Sequence, residues 1–150
     1  MNPEPTFDAA GRAYQQTRIA HWDALARRRD TWRGAGGWYH HRLQEIFRYL
    51  VGPNKRILEI GCGEGGLLAA LHPSHGVGVD FSAEMIQRGK AKHPELEFVL
   101  ADAHDLSALT GTFDAILLSD TVNDLWDVQR VFEQLRPLCT PRTRLILNFY

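Results

Sequence analysis

The feature that most limits the fold of this chain is an alternation of short apolar runs with helical segments after residue 55. The runs are five predicted strands: RILEI (56–60), GVGVD (76–80), EFVLAD (97–102), FDAILLSD (113–120) and RLILNFY (144–150). Most are apolar throughout rather than apolar at every second residue, which is typical of strands buried on both faces. We therefore expect an α/β fold with a doubly wound, mostly parallel sheet and helices on both faces.

The N-terminal part is predicted to be helical and contains no predicted strand. Residues 8–34 are predicted to be a polar helical segment with scattered apolar anchors such as Trp22 and Trp32, and RGAGG (33–37) interrupts it. A second helix is predicted from Trp38 to Val51, with an apolar stripe. The stripe consists of Tyr39, Leu43, Ile46, Phe47 and Leu50. We divide the chain into an N-terminal helical segment, 1–37, and a main domain, 38–150.

Shorter helices are predicted between the strands. LLAALH follows the first strand, a helix capped by Ser82 runs to about Lys92 before Pro94, and another covers Asp127 to Leu135. Because ligands of such sheets bind beyond the carboxyl ends of the strands, we look for the site there.

Charge and cysteine content exclude several classes of protein. The net charge is −1, with +4 in residues 1–55 and −5 in residues 56–150, and basic and aromatic residues do not alternate in a stripe, so no nucleic-acid or membrane partner is expected. The two cysteines form no metal or disulfide pattern, which predicts no metal and a reducing, cytoplasmic location. Neither a signal peptide nor a membrane span is expected from the apolar runs.

The stretch ILEIGCGEGG (57–66) joins the first strand to a loop that is half glycine. Glycines allow a sharp turn and let a ligand touch the main chain. Asp80 ends the second strand, where a carboxylate can accept hydrogen bonds from both hydroxyls of a ribose. This pattern suits NAD and any other adenosine cofactor equally, and Asp80 could instead stabilise the start of the following helix.

Two acids separate these cofactors. Glu59 lies inside the first strand, where a dinucleotide fold usually keeps an apolar residue because a buried carboxylate is costly without a partner. Asp102 ends the third strand, where it could accept from an exocyclic amine such as that of adenine.

These motifs resemble those of class I S-adenosylmethionine-dependent methyltransferases of the small-molecule type. LEIGCGEGG resembles the first family motif, GVDFSAEMI the second, FVLADAHDL the third and FDAILLSDTVNDL the fourth, so the resemblance covers roughly residues 38–150. It implies a Rossmann-like sheet, S-adenosylmethionine as cofactor, S-adenosylhomocysteine as product and a small-molecule or carbohydrate-like acceptor. The family sheet has two further strands, so we expect a piece of a longer polypeptide or a C-terminally truncated domain.

The resemblance also implies roles for individual residues. Gly61 and Gly63 would line the methionine part, Asp80 would bind the ribose, and Asp102 would hold the adenine amine. Phe81 and Met85 would lie against the adenine, although core packing explains them as well. The complete expected cofactor site is Tyr39, Glu59, Gly61, Cys62, Gly63, Asp80, Phe81, Met85, Asp102, Ala103, His104 and Ser119.

No residue stands out as the catalytic base that a hydroxyl acceptor would need. The candidates near the carboxyl edge are His40, His41, His104, Asp120 and Asp124. Asn123, Asp124 and Trp126 could face the acceptor, or the first two could cap a helix while Trp126 packs on the sheet. Arginines 27–29 are either a solvated helix face or a clamp for an anionic acceptor.

Two other functions remain open from the sequence. One is an NAD-binding oxidoreductase domain, which Glu59 and the Asp102 motif disfavour. The other is a non-catalytic or incomplete cofactor-binding module of a larger protein or homo-oligomer.

Overall fold

The computed structural model describes residues 9–28 and 36–149. Its centre is one five-stranded sheet in the order β3-β2-β1-β4-β5, and every neighbouring pair is parallel. The strands are β1 (Arg56–Ile60), β2 (His75–Asp80), β3 (Glu97–Leu100), β4 (Ala115–Ser119) and β5 (Arg144–Asn148). The chain reverses its direction of strand addition between β1 and β4, which opens a crevice at their carboxyl ends.

Five α-helices surround this sheet within the described ranges. They are α1 (Ala9–Arg28), α2 (Gly36–Val51), α3 (Gly66–Ala70), α4 (Ala83–Lys92) and α5 (Val128–Leu135), and 3-10 turns cover Val122–Asp124 and Arg136–Leu138. Alternate strand residues belong to two buried clusters: Leu58 and Ile116 pack with Val131 of α5, whereas Ile57 and Leu117 pack with Phe47 of α2. Helices on both faces of a parallel sheet confirm the predicted fold class.

About half of the predicted boundaries shift by one or two residues, while those of β1 and α4 match. β3 ends at Leu100, so Asp102 lies in the turn after the strand rather than at its tip. α2 begins at Gly36, inside the predicted RGAGG break. Trp32 and the first residues of that break lie outside the described residues.

The predicted stripe of α2 is only partly buried, which corrects the sequence expectation. Phe47 is 2% exposed, but Ile46 is 42% and Leu50 38% exposed. The packing face is instead Leu43, Phe47 and Val51, because residues four apart lie on the same side of a helix. None of the helices in 9–28 and 36–149 is long and apolar enough to cross a membrane.

Candidate active site at the carboxyl edge of the sheet

The loop after β1 turns sharply and exposes its main chain to the crevice. Gly61 and Gly63 have positive φ angles of 70° and 53°. A Cβ atom at Gly61 would overlap the Thr121 side chain. The amides of Gly61 and Cys62 both donate to the Val79 carbonyl, at 2.8 and 3.0 Å, and so tie the loop to β2. The loop therefore requires glycine for both its conformation and its close packing.

Glu59 is buried inside β1 and supports this loop. Its carboxylate accepts from the Leu68 amide of α3 at 3.2 Å. Burial raises the pKa of Glu59 to about 8, and the nearby Asp80 charge adds to this effect, although the Leu68 amide opposes it. The acid that the sequence placed in an apolar strand thus anchors the first turn of α3.

Asp80, at the end of β2, is also buried. Its Oδ2 accepts from the Gly63 amide at 2.8 Å, and its Oδ1 accepts from the Ser82 amide at 2.9 Å. Burial raises the pKa of Asp80, while the amides of Ser82 and Gly63 act in the opposite direction. A carboxylate has about four acceptor positions, so this one retains capacity for two further donors.

The α4 helix begins beside Asp80 as the sequence predicted. Ser82 is its N-cap and accepts from the Met85 amide at 3.2 Å. Met85 is 2% exposed, and it reaches the crevice together with the half-buried Phe81. Both residues are therefore part of the crevice wall, and Met85 belongs to the interior as well.

Asp102 and His104 form a pair in the turn after β3. Asp102 Oδ1 accepts from the His104 amide at 2.8 Å and lies 2.5 Å from His104 Nδ1. Burial acts against the charge of Asp102, but the hydrogen bonds from His104 outweigh it and lower the pKa of Asp102. His104 is 4% exposed, and its Nε2 accepts from the Asp127 amide at 3.1 Å. Both ring nitrogens are thus engaged, which leaves His104 poorly placed to act as a base.

The end of β4 contributes a second polar cluster. Asp120 has a positive φ of 54°, which is uncommon for a residue other than glycine. Its carboxylate accepts from the Tyr39 hydroxyl at 2.8 Å and from the Asn148 side-chain amide at 2.5 Å. Strained backbone of this kind is concentrated at functional sites.

Helix α1 lies across the carboxyl edge and is joined to it by polar contacts. Gln15 Nε2 donates to Asp102 Oδ2 at 2.6 Å, and Trp22 Nε1 donates to Asp124 at 2.9 Å. Arg18 forms an ion pair with the same Asp124. The sequence predicted no role for Gln15 and Arg18, because a polar helix with no apolar stripe carries no periodic signal for its buried contacts.

The crevice is a cavity of about 750 Å³, within the range of small-molecule sites. Twelve of the predicted site residues line it: Tyr39, His40, Glu59, Gly61, Cys62, Gly63, Asp80, Phe81, Met85, Ser119, Asp120 and Asp124. A neighbouring cavity of about 20 Å³ is lined by Asp102, His104 and Phe81 together with Gln15 of α1. Its volume suits about one water molecule.

Two predicted residues line neither cavity. His41 is exposed and pairs with Glu45 at 3.8 Å on the outer face of α2. The Ala103 side chain is buried in the core under α5. Thr121, which the sequence analysis did not single out, lines the large cavity and donates to the Ile60 carbonyl at 3.1 Å.

In the segment after β4, Asp124 lines the large crevice, whereas the alternative interpretation as a helix cap is wrong. Asp127, rather than Asn123 or Asp124, caps α5 by accepting from the Arg130 amide at 3.0 Å. Trp126 is 45% exposed and contacts the Tyr14 ring, with centroids 5.4 Å apart, so it packs on α1 instead of the sheet.

Two other expectations concern the arginines 27–29 and the absence of a metal site. Arg27 is exposed on α1, the side chain of Arg28 is undescribed, and Arg29 lies outside the described residues. Within the described part of the chain, no three His, Cys, Asp or Glu residues are grouped as metal ligands.

The sequence of this chain is similar to those of known methyltransferases. The sequence model of a family described as "Methyltransferase domain" matches residues 57–142. A demethylmenaquinone methyltransferase of Beutenbergia cavernae is 32% identical over 98 residues, which are 63% of this chain and 40% of that protein. A phthiotriol/phenolphthiotriol dimycocerosates methyltransferase of Mycobacterium leprae is 41% identical over 69 residues, 42% of this chain and 26% of that protein.

A solved structure shares the fold. The N-methyltransferase NodS of Bradyrhizobium japonicum, solved in complex with S-adenosylhomocysteine, superposes with a TM-score of 0.65 at 18% identity. The superposition covers 77% of this chain and 62% of that one. The chain thus spans less than two thirds of the length of the relatives it matches. It belongs to the methyltransferase domain family, of the class I S-adenosylmethionine-dependent type that its motifs resemble.

Proposed function

We propose that this chain binds S-adenosylmethionine in the large crevice and transfers its methyl group to a small-molecule acceptor. The observation that carries the proposal is the buried Asp80 carboxylate, which the Gly63 amide holds at the lip of a glycine loop in a cavity of about 750 Å³. The family membership of residues 57–142 supports the same activity.

The residues of the crevice fit such a cofactor. Asp80 retains acceptor capacity for the two ribose hydroxyls, and Gly61 and Gly63 line the crevice with main chain only. Asp80, Asp120 and Asp124 place carboxyl groups on the crevice wall, which suits a cationic ligand. Phe81 and Met85 supply an apolar wall for an aromatic ring.

The proposed cofactor site keeps the residues expected from the sequence. Asp80 binds the ribose in the large crevice, and Asp102 takes the adenine amine from the small cavity, which adjoins the crevice at Phe81. The amide of Ala103 takes a ring nitrogen. His104 acts through Asp102 instead of touching the cofactor. The remaining members are Tyr39, Glu59, Gly61, Cys62, Gly63, Phe81, Met85 and Ser119.

S-adenosylmethionine would supply a methyl group bonded to a sulfonium sulfur, and the carbon–sulfur bond would break as the acceptor–carbon bond forms, with S-adenosylhomocysteine as the neutral leaving group. The main task of the chain is therefore to hold donor and acceptor in line. An acceptor hydroxyl must also lose a proton, and the candidates on the crevice wall are His40, Asp120 and Asp124, of which Asp124 is already paired with Arg18. The names of the relatives refer to demethylmenaquinone and to phthiotriol dimycocerosates, and we carry over only the class of small-molecule acceptor.

Calorimetric titration with S-adenosylmethionine, S-adenosylhomocysteine and NAD tests the proposal. We expect the first two to bind and NAD not to bind. Transfer of a labelled methyl group to candidate small molecules then tests the activity itself. Binding of NAD alone, or of none of the three ligands, would contradict the proposal.

A further inference from the structure

His104 has a fixed hydrogen-bonding pattern that the proposed chemistry does not use. Its ring is buried, and the backbone N–H of Asp127 donates to its Nε2 at 3.1 Å. A nitrogen that accepts a hydrogen bond carries no proton, so the network assigns the proton of the neutral ring to Nδ1.

The Nδ1–H group in turn donates to Asp102 Oδ1, 2.5 Å away. The His104 amide donates to the same oxygen at 2.8 Å. With Oδ1 held by two donors, Oδ2 is the oxygen left for a further donor. It accepts from Gln15 Nε2 at 2.6 Å, and both residues line the small cavity. Asp127, whose amide is this donor, is the N-cap of α5. His104 therefore connects the side-chain conformation of Asp102 to the start of that helix.

We propose that His104 is a positioning residue for purine selectivity: it holds Asp102 so that Oδ2 accepts from the exocyclic amine of adenine and rejects a purine with a carbonyl oxygen there. This inference rests on the proposed function of the crevice. A held carboxylate is an acceptor only, so it attracts an amine and repels an oxygen. A carboxylate free to rotate away would lose this discrimination.

The charge state of Asp102 supports this role. Burial opposes ionisation, yet the hydrogen bonds from His104 keep the pKa of Asp102 below its ordinary value. The carboxylate therefore stays charged at neutral pH and does not become a donor to an oxygen.

Two variants separate the hydrogen bond made by Nδ1 from the one made by Nε2. In His104→Asn the side-chain amide replaces Nδ1 and keeps a donor to Asp102. In His104→Gln the side-chain amide lies near the Nε2 position and keeps an acceptor for the Asp127 amide. Both remove the ring, so both lose similar packing.

The test is the ratio of the affinities for S-adenosylhomocysteine and S-inosylhomocysteine, which differ in the amine or oxygen at C6 and in the hydrogen that N1 of hypoxanthine carries. We expect the wild-type chain to prefer the adenosine compound by about 10-fold or more, since a buried polar group left unpaired costs this much. His104→Asn should keep most of that preference. His104→Gln should lower the preference at least about 3-fold relative to His104→Asn, whatever the melting temperatures of the two variants, and the preference that remains is the part due to the Ala103 amide, which opposes the N1–H group of hypoxanthine.

A second test uses the unmutated chain and does not depend on the folding of the variants. Nitrogen NMR of ¹⁵N-histidine should show that the neutral form of the His104 ring is the Nδ1–H tautomer, with or without ligand. Finding the Nε2–H tautomer would overturn the inference even if neither variant folded. An unchanged preference in His104→Gln would overturn the role of His104 alone, whereas failure of the wild-type chain to bind either compound would overturn the proposed function with it.

Discussion

The Asp80 carboxylate and the Gly63 amide are joined by a 2.8 Å hydrogen bond that ties the end of β2 to the glycine loop after β1. The residues are 17 positions apart in sequence. One contact therefore sets both the position of the proposed ribose acceptor and the shape of the loop beside it. Changes to either residue should affect ligand binding, but in different ways.

Asp80→Asn tests the ribose acceptor while retaining one side-chain oxygen for a backbone amide. We expect the affinity for S-adenosylhomocysteine to fall about 10- to 150-fold, because hydrogen bonds to a charged group are worth about 1.5–3 kcal/mol. Calorimetry measures this change. Glu95→Gln, on an exposed acid that pairs with His93 at 3.5 Å, is the charge-matched control and should bind normally. Equal affinities in the two variants would remove Asp80 from the site.

Gly61→Ala tests the loop. The alanine would be strained in the left-handed backbone conformation of this position, at a cost of about 1–2 kcal/mol, and its Cβ would overlap Thr121. We expect a clear loss of unfolding free energy in urea titration. Gly66→Ala is the matched control, because no atom lies within 4 Å of its added Cβ. That control should be neutral or slightly stabilising in the first turn of α3. A Gly61→Ala chain as stable as Gly66→Ala would contradict this account of the loop.

Glu59→Gln tests the buried acid through pH. The folded-state pKa of Glu59 is about 8, above the ordinary value of 4.5, so the folded chain binds the proton more tightly than the unfolded chain. The contribution of Glu59 to stability is therefore fully present below pH 4.5 and is lost as pH rises to about 8. The slope approaches about 1.4 kcal/mol per pH unit at most.

The side-chain amide introduced by Glu59→Gln would still accept from Leu68 but would not titrate. We expect urea titrations between about pH 5 and about pH 8 to show that the free energy of unfolding of the variant lacks the part of the pH dependence due to Glu59. The stability of the variant relative to the wild type should therefore rise with pH. Parallel pH profiles for the two proteins would show that Glu59 titrates normally.

Gln15→Ala tests how α1 limits access to Asp102. The Gln15 amide occupies the Asp102 oxygen that we propose for the adenine amine. Removing it should raise the affinity for S-adenosylhomocysteine by up to about 10-fold, since a ligand would no longer displace a hydrogen bond to a charged group. Gln16→Ala, at the exposed neighbouring position, should leave the affinity unchanged. Weaker binding by Gln15→Ala would instead indicate that Gln15 contacts the bound adenine.

The strands and the loop were predictable because their signals are local. Continuous apolar runs identified the parallel strands, and the spacing of Gly61 and Asp80 placed both at one edge of the sheet. The α2 stripe was only partly right, since Ile46 has suitable periodicity but no partner to cover it among the described residues. Strand pattern also placed Asp102 at a strand tip, whereas β3 ends two residues earlier.

The sequence by itself determined the fold class, the glycine loop and the family, because each depends on residues close together along the chain. Only the tertiary structure decided how those residues are supported. The contacts of Gln15 with Asp102 and of Tyr39 with Asp120 join positions 87 and 81 residues apart. Side-chain hydrogen bonds of this range leave no periodic trace, because they depend on where the sheet brings the ends of its strands together and on which helix then lies across them.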